Sequence, residues 1–380
     1  MINQLLFLML LPSAPQAQNE FAQVPETLAF ERHEVEQNPV ATGAKIAELS
    51  KQHKKLLVDR LADEIERKYV FAEVAKTAAQ HLRSSLKNGK YDEVRNPIQM
   101  ATKLTEDAQA VTHDKHLRVF YDANSQKVDS VPAPLTDEER VKRRNEVVRY
   151  YQKLNYGVRR VERFDGNIAY LDLFMFGELA YVGNGISAAM VLLEGSDAMI
   201  IDLRDNSGGS PETVNFIISH FVERPTHVMD NYRRDDDSIR QSWTSSYLNV
   251  PVYDRNKKVY ILTSSRTFSA PEDLAYTMQA LKRAKIVGET TGGGAHAGTR
   301  YALDENFTAF IPNQRSISPI TKTNWEGVGV VPDLQVDASK ALLTVRIEIL
   351  QERLQKVTDA QERSGIVESI LALKVALKKM

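Results

Sequence analysis

The stretch AMIIDLRDNSGGSPETVNF, residues 198–216, decides the fold class. Its first residues, AMIIDL, form a nearly continuous apolar run, which is typical of a strand buried on both faces. Gly208 and Gly209 then supply a tight turn, and Ser210 with Pro211 has the pattern of a helix start. A strand, a glycine turn and a helix in this order predict an α/β layered fold.

Similar units lie on both sides of this stretch. Apolar segments of strand length alternate with stretches of helical periodicity, as βα units require. The strand segments are 168–173, 259–263 and 307–311, and the helical stretches are 185–193, 211–222 and 271–282. We predict an α/β core over residues 157–340, which is the catalytic domain if the chain is an enzyme, followed by two amphipathic helices in 341–380.

A small helical domain is predicted ahead of this core, over residues 43–125. Leu57, Leu61 and Ile65 repeat at a spacing of four, which places them on one helix face. Asn96 followed by proline predicts the start of a further helix. The domain ends in a short strand, and residues 126–156 are predicted to form a linker and a charged helix.

The first 18 residues predict a signal peptide. An apolar run at 5–11 precedes a stretch of small residues ending near Ala17, and the run is far shorter than the roughly 20 residues that span a bilayer. The sequence therefore favours export to a periplasm or to the cell exterior and predicts no transmembrane segment. A frayed apolar terminus is the alternative.

The composition excludes several classes of chemistry. The 380 residues contain no cysteine, which excludes disulfides, thiol nucleophiles and thiolate metal sites. Lys and Arg number 49 and Asp and Glu number 50, for a net charge of −1, so no broad positive field favours nucleic acid. An apolar fraction of 42% is that of a globular protein. Oligomeric state does not follow from the sequence.

Three junctions between strands and helices carry candidate chemistry. The Gly208–Gly209 turn leaves backbone N–H groups open to an anion or an oxyanion, although a tight turn alone explains the glycines as well. Ser269 precedes a helix and forms a capping-box pattern with Glu272, which favours a helix cap, although a serine at this place can also act as a nucleophile. His296 lies in a glycine-rich loop, as a surface histidine or as a base.

Metal binding is not predicted from the histidines. His113 and His116 lie close together in the sequence, but no carboxylate-histidine spacing around them matches a zinc site. Arg118, Arg204 and Arg300 are candidate partners for a substrate carboxylate. Arg204 also fits a structural ion pair with a neighbouring aspartate.

At these residues the sequence resembles the tail-specific (C-terminal processing) serine protease family, in the branch related to interphotoreceptor retinoid-binding protein and to the tricorn protease core. The resemblance covers roughly residues 45–340, and the order and spacing of its motifs make it specific. Those motifs are DKHLRV (114–119), IDLRDNSGG (201–209), SSRTFSAPEDLAY (264–276), VGETTGGGAHAG (287–298) and WEGVGVVPD (325–333).

The resemblance implies a crotonase-like or Clp-protease-like core of layered ββα units. It implies Ser269 as the nucleophile of a serine peptidase. The turn at Gly208 and Gly209 and the N–H of Ala270 would form the oxyanion hole. It implies no metal and no cofactor, and its substrates would be peptides or unfolded protein tails.

The same resemblance implies the base. Family members with a Ser-Lys dyad carry the lysine where this chain has Gly294, so the dyad is absent. His116 and Glu326 occupy the places of the base and the acid in the tricorn-like branch. Two departures matter: Lys115 stands where that branch has a serine, and the segment 116–166 is too short for a PDZ insert.

Arg118, Arg300 and His296 are candidate substrate-binding residues. A peptidase with His116 as base should gain activity with rising pH through a histidine titration, which starts from about 6.5 before the environment shifts it. The competing hypothesis is a non-catalytic carrier of a lipophilic ligand such as a retinoid or a fatty acid, in which Ser269 is only a helix cap.

Overall fold

The computed structural model describes residues 48–123, 136–223, 225–248 and 250–380. The predicted signal peptide lies outside the described residues. Within them, none of the helices has an apolar stretch long enough to cross a membrane.

Three helices begin the described chain: α1 (Lys51–Lys68), α2 (Ala72–Lys87) and α3 (Pro97–Thr112). The predicted cap of α3 is confirmed, because the Asn96 side chain accepts the N–H of Gln99 and Pro97 opens the helix. Leu57, Leu61 and Ile65 are fully buried, as their spacing predicted.

A six-stranded sheet forms the centre, in the order β12-β8-β7-β4-β3-β2. Only the edge strand β2 is antiparallel to its neighbour. The strands are β2 (Val158–Phe164), β3 (Ile168–Leu173), β4 (Ala198–Asp202), β7 (Lys258–Thr263), β8 (Lys285–Gly288) and β12 (Leu334–Gln335). All five residues of β4 are buried, as the apolar run predicted. The mixed α/β class is thereby confirmed.

Helices cover the central sheet. The described helices after α3 are α4 (Asp137–Lys153), α5 (Leu179–Leu193), α6 (Pro211–Ser219), α7 (Ala270–Ala280), α8 (Ala338–Leu354) and α9 (Ala360–Lys378). Buried side chains of α8 and α9 share one hydrophobic cluster with Ile200, Tyr260 and Leu262 of the sheet. Their neighbours along the strands point to the opposite face, and Ile201 and Ile261 are fully buried there.

Two smaller sheets connect the helical segment to the core. One has the order β1-β10-β9 and the other β11-β5-β6. Their strands are β1 (Arg118–Tyr121), β5 (His227–Arg233), β6 (Ser238–Trp243), β9 (Gly298–Ala302), β10 (Phe307–Pro312) and β11 (Gln314–Ile317). Leu303, Phe307 and Ile311 are buried in the same cluster as the helical residues of α1 to α3. The pairing of β1 with β10 therefore anchors the segment that carries His116.

The described residues between β1 and β2 form only α4 and a short 3-10 turn, Asn155–Gly157. No PDZ domain is evident in this part of the described chain, in agreement with the length of the segment.

Candidate active site

Three loops meet at one edge of the central sheet. They follow β4, β7 and β8, which are parallel neighbours, so their carboxyl ends lie side by side. Phe268 donates its N–H to the carbonyl of Asn206 at 3.2 Å, and Gly292 donates to the carbonyl of Thr267 at 2.9 Å. The three junctions singled out in the sequence thus form one surface.

Ser269 has an unusual backbone. It precedes α7 with φ 69° and ψ −121°, whereas Ser210 caps α6 from the extended region, φ −76° and ψ 125°, and accepts the Thr213 N–H. A residue other than glycine with such a positive φ costs about 1–3 kcal/mol, and this kind of strain concentrates at functional sites. Ser269 is partly exposed. The geometry presents its hydroxyl from a sharp turn at the start of a helix.

Glu272 holds this turn to the glycine-rich loop. Its side chain accepts the N–H of Ser269 at 2.8 Å, which is the backbone half of the capping box that the sequence predicted. It also accepts the N–H groups of Gly293 at 2.7 Å and Gly294 at 2.8 Å and the hydroxyl of Thr291. Glu272 is fully buried, so removal of its carboxylate would leave several buried donors unsatisfied. The sequence pattern indicated the cap but not this second function.

His116 reaches the Ser269 loop from the other side. It lies between α3 and β1, and its ring packs on Phe268 with a centroid distance of 4.5 Å. The side chain is 12% exposed, and burial lowers its pKa to about 4. Its Nδ1 is buried and has no hydrogen-bond partner among the described residues. The imidazole is therefore neutral at physiological pH and able to accept a proton.

Glu326 lies beside this histidine. One carboxylate oxygen, Oε2, accepts the N–H groups of Ala295 at 2.5 Å and His296 at 3.2 Å. The other, Oε1, is buried without a partner in the described part of the chain. Burial, with the nearby charge of Asp114, raises the pKa of Glu326 to about 7. A buried carboxylate oxygen and the buried Nδ1 of His116 thus both lack a partner in the same place.

Asp114 is a member of this cluster that the sequence analysis missed. It is 1% exposed, and it accepts hydrogen bonds from the His116 N–H at 3.0 Å and the Tyr69 hydroxyl at 3.3 Å. Burial and this carboxylate raise the pKa of Tyr69. The signal was present in the DKH motif, where Asp114 stands two residues before His116.

His296 is not a surface histidine, and that interpretation of the glycine-rich loop is wrong. It is 3% exposed, and its Nδ1 lies 2.8 Å from Asp114 Oδ2 and 3.5 Å from Glu326 Oε2. The loop turns this side chain inward because the carboxylates of Asp114 and Glu326 are its partners. His296 also lines a cavity, so a contact with substrate stays a prediction.

Asp114, His116 and Glu326 each offer one atom to a set in which all atoms lie within 4.8 Å of one another. A divalent cation could use such donors. However, Asp114 and Oε2 of Glu326 already accept hydrogen bonds from protein groups. A metal would have to replace these bonds.

The candidate residues of the oxyanion hole differ in whether their backbone N–H is already hydrogen-bonded. Gly208 donates its N–H to the Asn206 side chain at 3.0 Å, so this donor is engaged. The N–H groups of Gly209 and Ala270 donate to no group within the described residues. Gly209 is required here, because a Cβ would lie 1.9 Å from the carbonyl oxygen of Phe176. The two open donors lie on adjacent loops.

The three arginines fall into two groups. Arg204 forms an ion pair with Asp202, with its Nε 2.9 Å from Oδ1, and this confirms the structural interpretation. Arg118 and Arg300 stand in one row across β10, each opposite Phe310, and both are partly exposed. Their contact with substrate stays a prediction.

Gly294 lies against the rings of His116 and Phe268. A Cβ added there would lie 2.6 Å from Cε1 of His116 and 2.3 Å from Cζ of Phe268. No lysine fits at this position while the His116 ring occupies it. We expect Gly294→Ala to displace the ring, to lower any activity that depends on His116 at least about tenfold and to cost about 1–3 kcal/mol of stability.

Gly365→Ala is the matched control for this substitution, because a Cβ at Gly365 on α9 meets no atom within 4 Å. That variant should keep full activity and gain up to about 1 kcal/mol from helix propensity. Steady-state kinetics and thermal melts measure both. A fully active Gly294→Ala enzyme would contradict the placement of His116.

Lys115 occupies the place where the tricorn-like branch has a serine. Its Nζ donates to the carbonyl of Gly292 at 2.6 Å, so it ties the segment before β1 to the glycine-rich loop. The lysine thus adds a structural link at this position.

Comparisons with known proteins agree with this arrangement. Residues 167–336 match the model described as peptidase family S41. Residues 37–155 match the model described as the N-terminal domain of peptidase S41 in eukaryotic IRBP. The first takes in the three loops with Ser269 and Glu326, and the second takes in His116.

Two curated relatives carry names that describe proteolysis. The chloroplastic carboxyl-terminal-processing peptidase 2 of Arabidopsis thaliana is 29% identical over 44% of this chain and 31% of its own length. The carboxy-terminal-processing protease of Bartonella bacilliformis is 25% identical over 46% of this chain and 40% of its own length. The matches therefore span less than half of either relative.

A solved structure shares the fold. A lipoprotein from Streptococcus agalactiae superimposes with a TM-score of 0.53 at 14% identity, over 78% of this chain and 96% of its own. At this identity the likeness concerns the fold alone. The two family models show that the chain contains a peptidase family S41 domain over residues 167–336 and an N-terminal domain of the S41 type over residues 37–155.

Proposed function

We propose that this protein is a serine peptidase in which Ser269 is the nucleophile, His116 the base and Glu326 the orienting acid. The observation that carries the proposal is the packing of His116 on Phe268, the residue before Ser269, with Glu326 in the same cluster. These contacts join segments far apart in sequence, which supports the proposal. The names of the relatives support a proteolytic reaction.

The reaction follows triad logic. His116 accepts the hydroxyl proton of Ser269 as the oxygen attacks the peptide carbonyl, and Glu326 stabilises the imidazolium that forms. The N–H groups of Gly209 and Ala270 bind the oxyanion. The leaving amine takes the proton from His116, and an acyl-enzyme remains on Ser269. Water, activated by His116 in the same way, releases the peptide acid and restores the serine.

The strain at Ser269 supports the same proposal. A helix cap needs no positive φ, as Ser210 shows at the start of α6. A nucleophile benefits from such a turn, because a sharp turn between a strand and a helix exposes the hydroxyl. Capping alone therefore leaves the backbone of Ser269 unexplained.

The substrates we propose are peptides or unfolded protein tails. The names of the relatives refer to carboxyl-terminal processing, which supports an extended substrate.

The alternative, a carrier of a lipophilic ligand, gains no support. The two cavities near the cluster are lined partly by charged side chains, including Arg315, Lys322 and Glu326. A carrier also has no use for the Ser269, His116 and Glu326 arrangement.

Export is proposed on the sequence of residues 1–18 alone. Mass spectrometry of the protein isolated from its native cells should show an N-terminus near residue 18. Retention of Met1 on the secreted or membrane-enclosed protein would contradict a cleaved signal peptide.

The pKa values change the expected pH profile. Because burial lowers the pKa of His116 to about 4, the base is neutral across the neutral range, and the expected histidine limb near pH 6.5 moves down. Glu326, with a pKa near 7, is protonated below that pH and ionised above it. Since the ionised form stabilises the imidazolium, kcat/KM should rise as pH increases through about 7.

Glu326→Gln tests this assignment. We expect the variant to lose the limb near pH 7 and to lower kcat/KM about 100-fold or more, because a neutral amide cannot stabilise the imidazolium. Glu368→Gln, an exposed residue of α9, is the control and should keep the wild-type profile. A limb near pH 7 that persists unchanged in Glu326→Gln would assign it to another group.

A further inference from the structure

A cavity of about 340 Å³ adjoins the proposed triad. Its volume lies in the range of small-molecule pockets. Its wall consists of Phe71, His296, Arg315, Ile317, Lys322, Thr323, Asn324 and Glu326. Glu326 is shared with the triad, and its carboxylate lies within 4.8 Å of a His116 ring nitrogen. A group bound in this cavity therefore lies next to the acid and base.

Arg315 is the unusual residue of this wall. It lies on β11, with its guanidinium over the rings of Phe71 at 5.4 Å and Tyr232 at 5.2 Å. Its Nε is buried without a hydrogen-bond partner, and no ion pair joins Arg315 to another residue in the described ranges. By contrast, Arg234 donates to the carbonyls of Tyr69 and Glu66. The rings hold the Arg315 guanidinium in place while its donors stay unused.

An unused guanidinium in a cavity points to an anionic ligand. The planar fork of an arginine matches a carboxylate with two parallel hydrogen bonds, and leaving a buried donor unpaired is unfavourable. Lys322 lies at the exposed rim and adds a second positive charge. The cavity is also faced by the acidic Glu326 and the titratable His296. Both already have hydrogen-bond partners in the protein, Ala295 for Glu326 and Asp114 for His296.

We propose that this cavity binds a carboxylate of the substrate, with Arg315 as its principal partner and Lys322 at the rim. The inference rests on the proposed peptidase function, because it names the substrate feature read beside the triad. The carboxylate has two sources in a peptide, an acidic side chain or the free C-terminus. Arg315 would then prefer substrates with a negative charge near the scissile bond.

Four fluorogenic peptides of one core sequence test the proposal. One has an acidic side chain and an amidated end, one a neutral side chain and a free C-terminus, one is neutral with an amidated end, and one is basic with an amidated end. For the wild type we expect kcat/KM to be about 10- to 100-fold higher for one carboxylate peptide than for the neutral amide. In Arg315→Gln this ratio should fall toward one.

Two further variants guard against a folding defect. Arg315→Lys keeps the charge and the alkyl stem but not the fork, so its ratio should be intermediate. Arg346→Gln is the matched control, because Arg346 also lies over a ring, that of Phe164, and has an unpartnered Nε, but it lies on α8 and does not line this cavity. That control should keep the wild-type ratio. Thermal melts of all three verify folding.

Binding to the Ser269→Ala variant separates this proposal from the peptidase proposal. Fluorescence anisotropy with the same four labelled peptides needs no catalysis. Carboxylate-dependent binding that Arg315→Gln abolishes would support the cavity even if no peptide is cleaved. If wild type and Arg315→Gln cleave with the same ratio of kcat/KM between carboxylate and neutral peptides, the carboxylate site is contradicted. The proposed peptidase function is unaffected by that result. The peptide that loses its advantage identifies the source of the carboxylate.

Discussion

Ser269→Ala is expected to abolish covalent labelling by a fluorophosphonate probe and to lower kcat at least about 10⁴-fold. The reason is that the acyl-enzyme cannot form without the hydroxyl, and the oxyanion donors alone supply only a small part of the rate. Labelling followed by mass spectrometry of the modified peptide locates the reacting residue, and it needs no knowledge of the natural substrate.

Ser265→Ala is the control for this experiment, since Ser265 is an exposed serine in the same loop. It should keep full labelling. Labelling of the folded wild type at any residue other than Ser269, or no labelling of an enzyme that cleaves peptides, would contradict the assignment. If the modified peptide contains both Ser265 and Ser269, the two variants show which serine reacts, because only substitution of the reacting serine abolishes labelling.

The strain at Ser269 gives the same experiment a second readout. Because glycine adopts the observed φ of 69° without a steric cost, Ser269→Gly should be inactive and yet about 1 kcal/mol more stable than wild type. Proteins often sacrifice stability at functional positions in this way. A Ser269→Gly variant that is less stable than wild type would contradict the strain inferred for this backbone.

The central layers followed from the sequence because their signals are local. The apolar run of β4 predicted a strand buried on both faces, and Asn96 with Pro97 predicted the start of α3. In a parallel sheet such strands carry their loops at one edge, so the pairing of β4 with β7 places the loops of Gly209 and Ser269 side by side.

The position of His116 could not follow from such signals. It depends on the pairing of β1 with β10, whose register joins Arg118 to Phe310, and no local pattern specifies a partner strand almost 200 residues away. Only the resemblance supplied this residue. Asp114 was missed for a related reason, because its partners His296 and Tyr69 come from distant segments.

Strands β5, β6 and β11 were not recognised because they are half-exposed. The segment HVMDNYR of β5 mixes apolar and polar residues without a continuous run, and QRSI of β11 is mostly polar. Arg315 lies on β11. Because this strand was not predicted, the cavity beside Glu326 could not be predicted from the sequence. Arg118 and Arg204 were chosen because they lie in or directly after predicted strands, and Arg300 because it follows the glycine-rich loop, whereas no such signal marked Arg315.

His116→Ala should lower activity more than stability, whereas His296→Ala should lower stability more than activity. His116→Ala removes the base, so acylation should fall at least about 10³-fold. The variant loses the packing of the ring on Phe268. It breaks no hydrogen bond of Nδ1, because that buried atom has no partner among the described residues. Activity should therefore suffer far more than folding.

His296→Ala should show the reverse. Its Nδ1 lies 2.8 Å from Asp114, a carboxylate that is 1% exposed, so the substitution leaves a buried charge short of a partner and should cost about 1–3 kcal/mol more than His116→Ala. We expect acylation to fall only about tenfold, because Asp114 and Glu326 lose part of their support. Stopped-flow acylation and urea unfolding measure the two quantities. If His296→Ala inactivated the protein more than His116→Ala, the base would belong to the glycine-rich loop, and Asp114 would become its orienting acid.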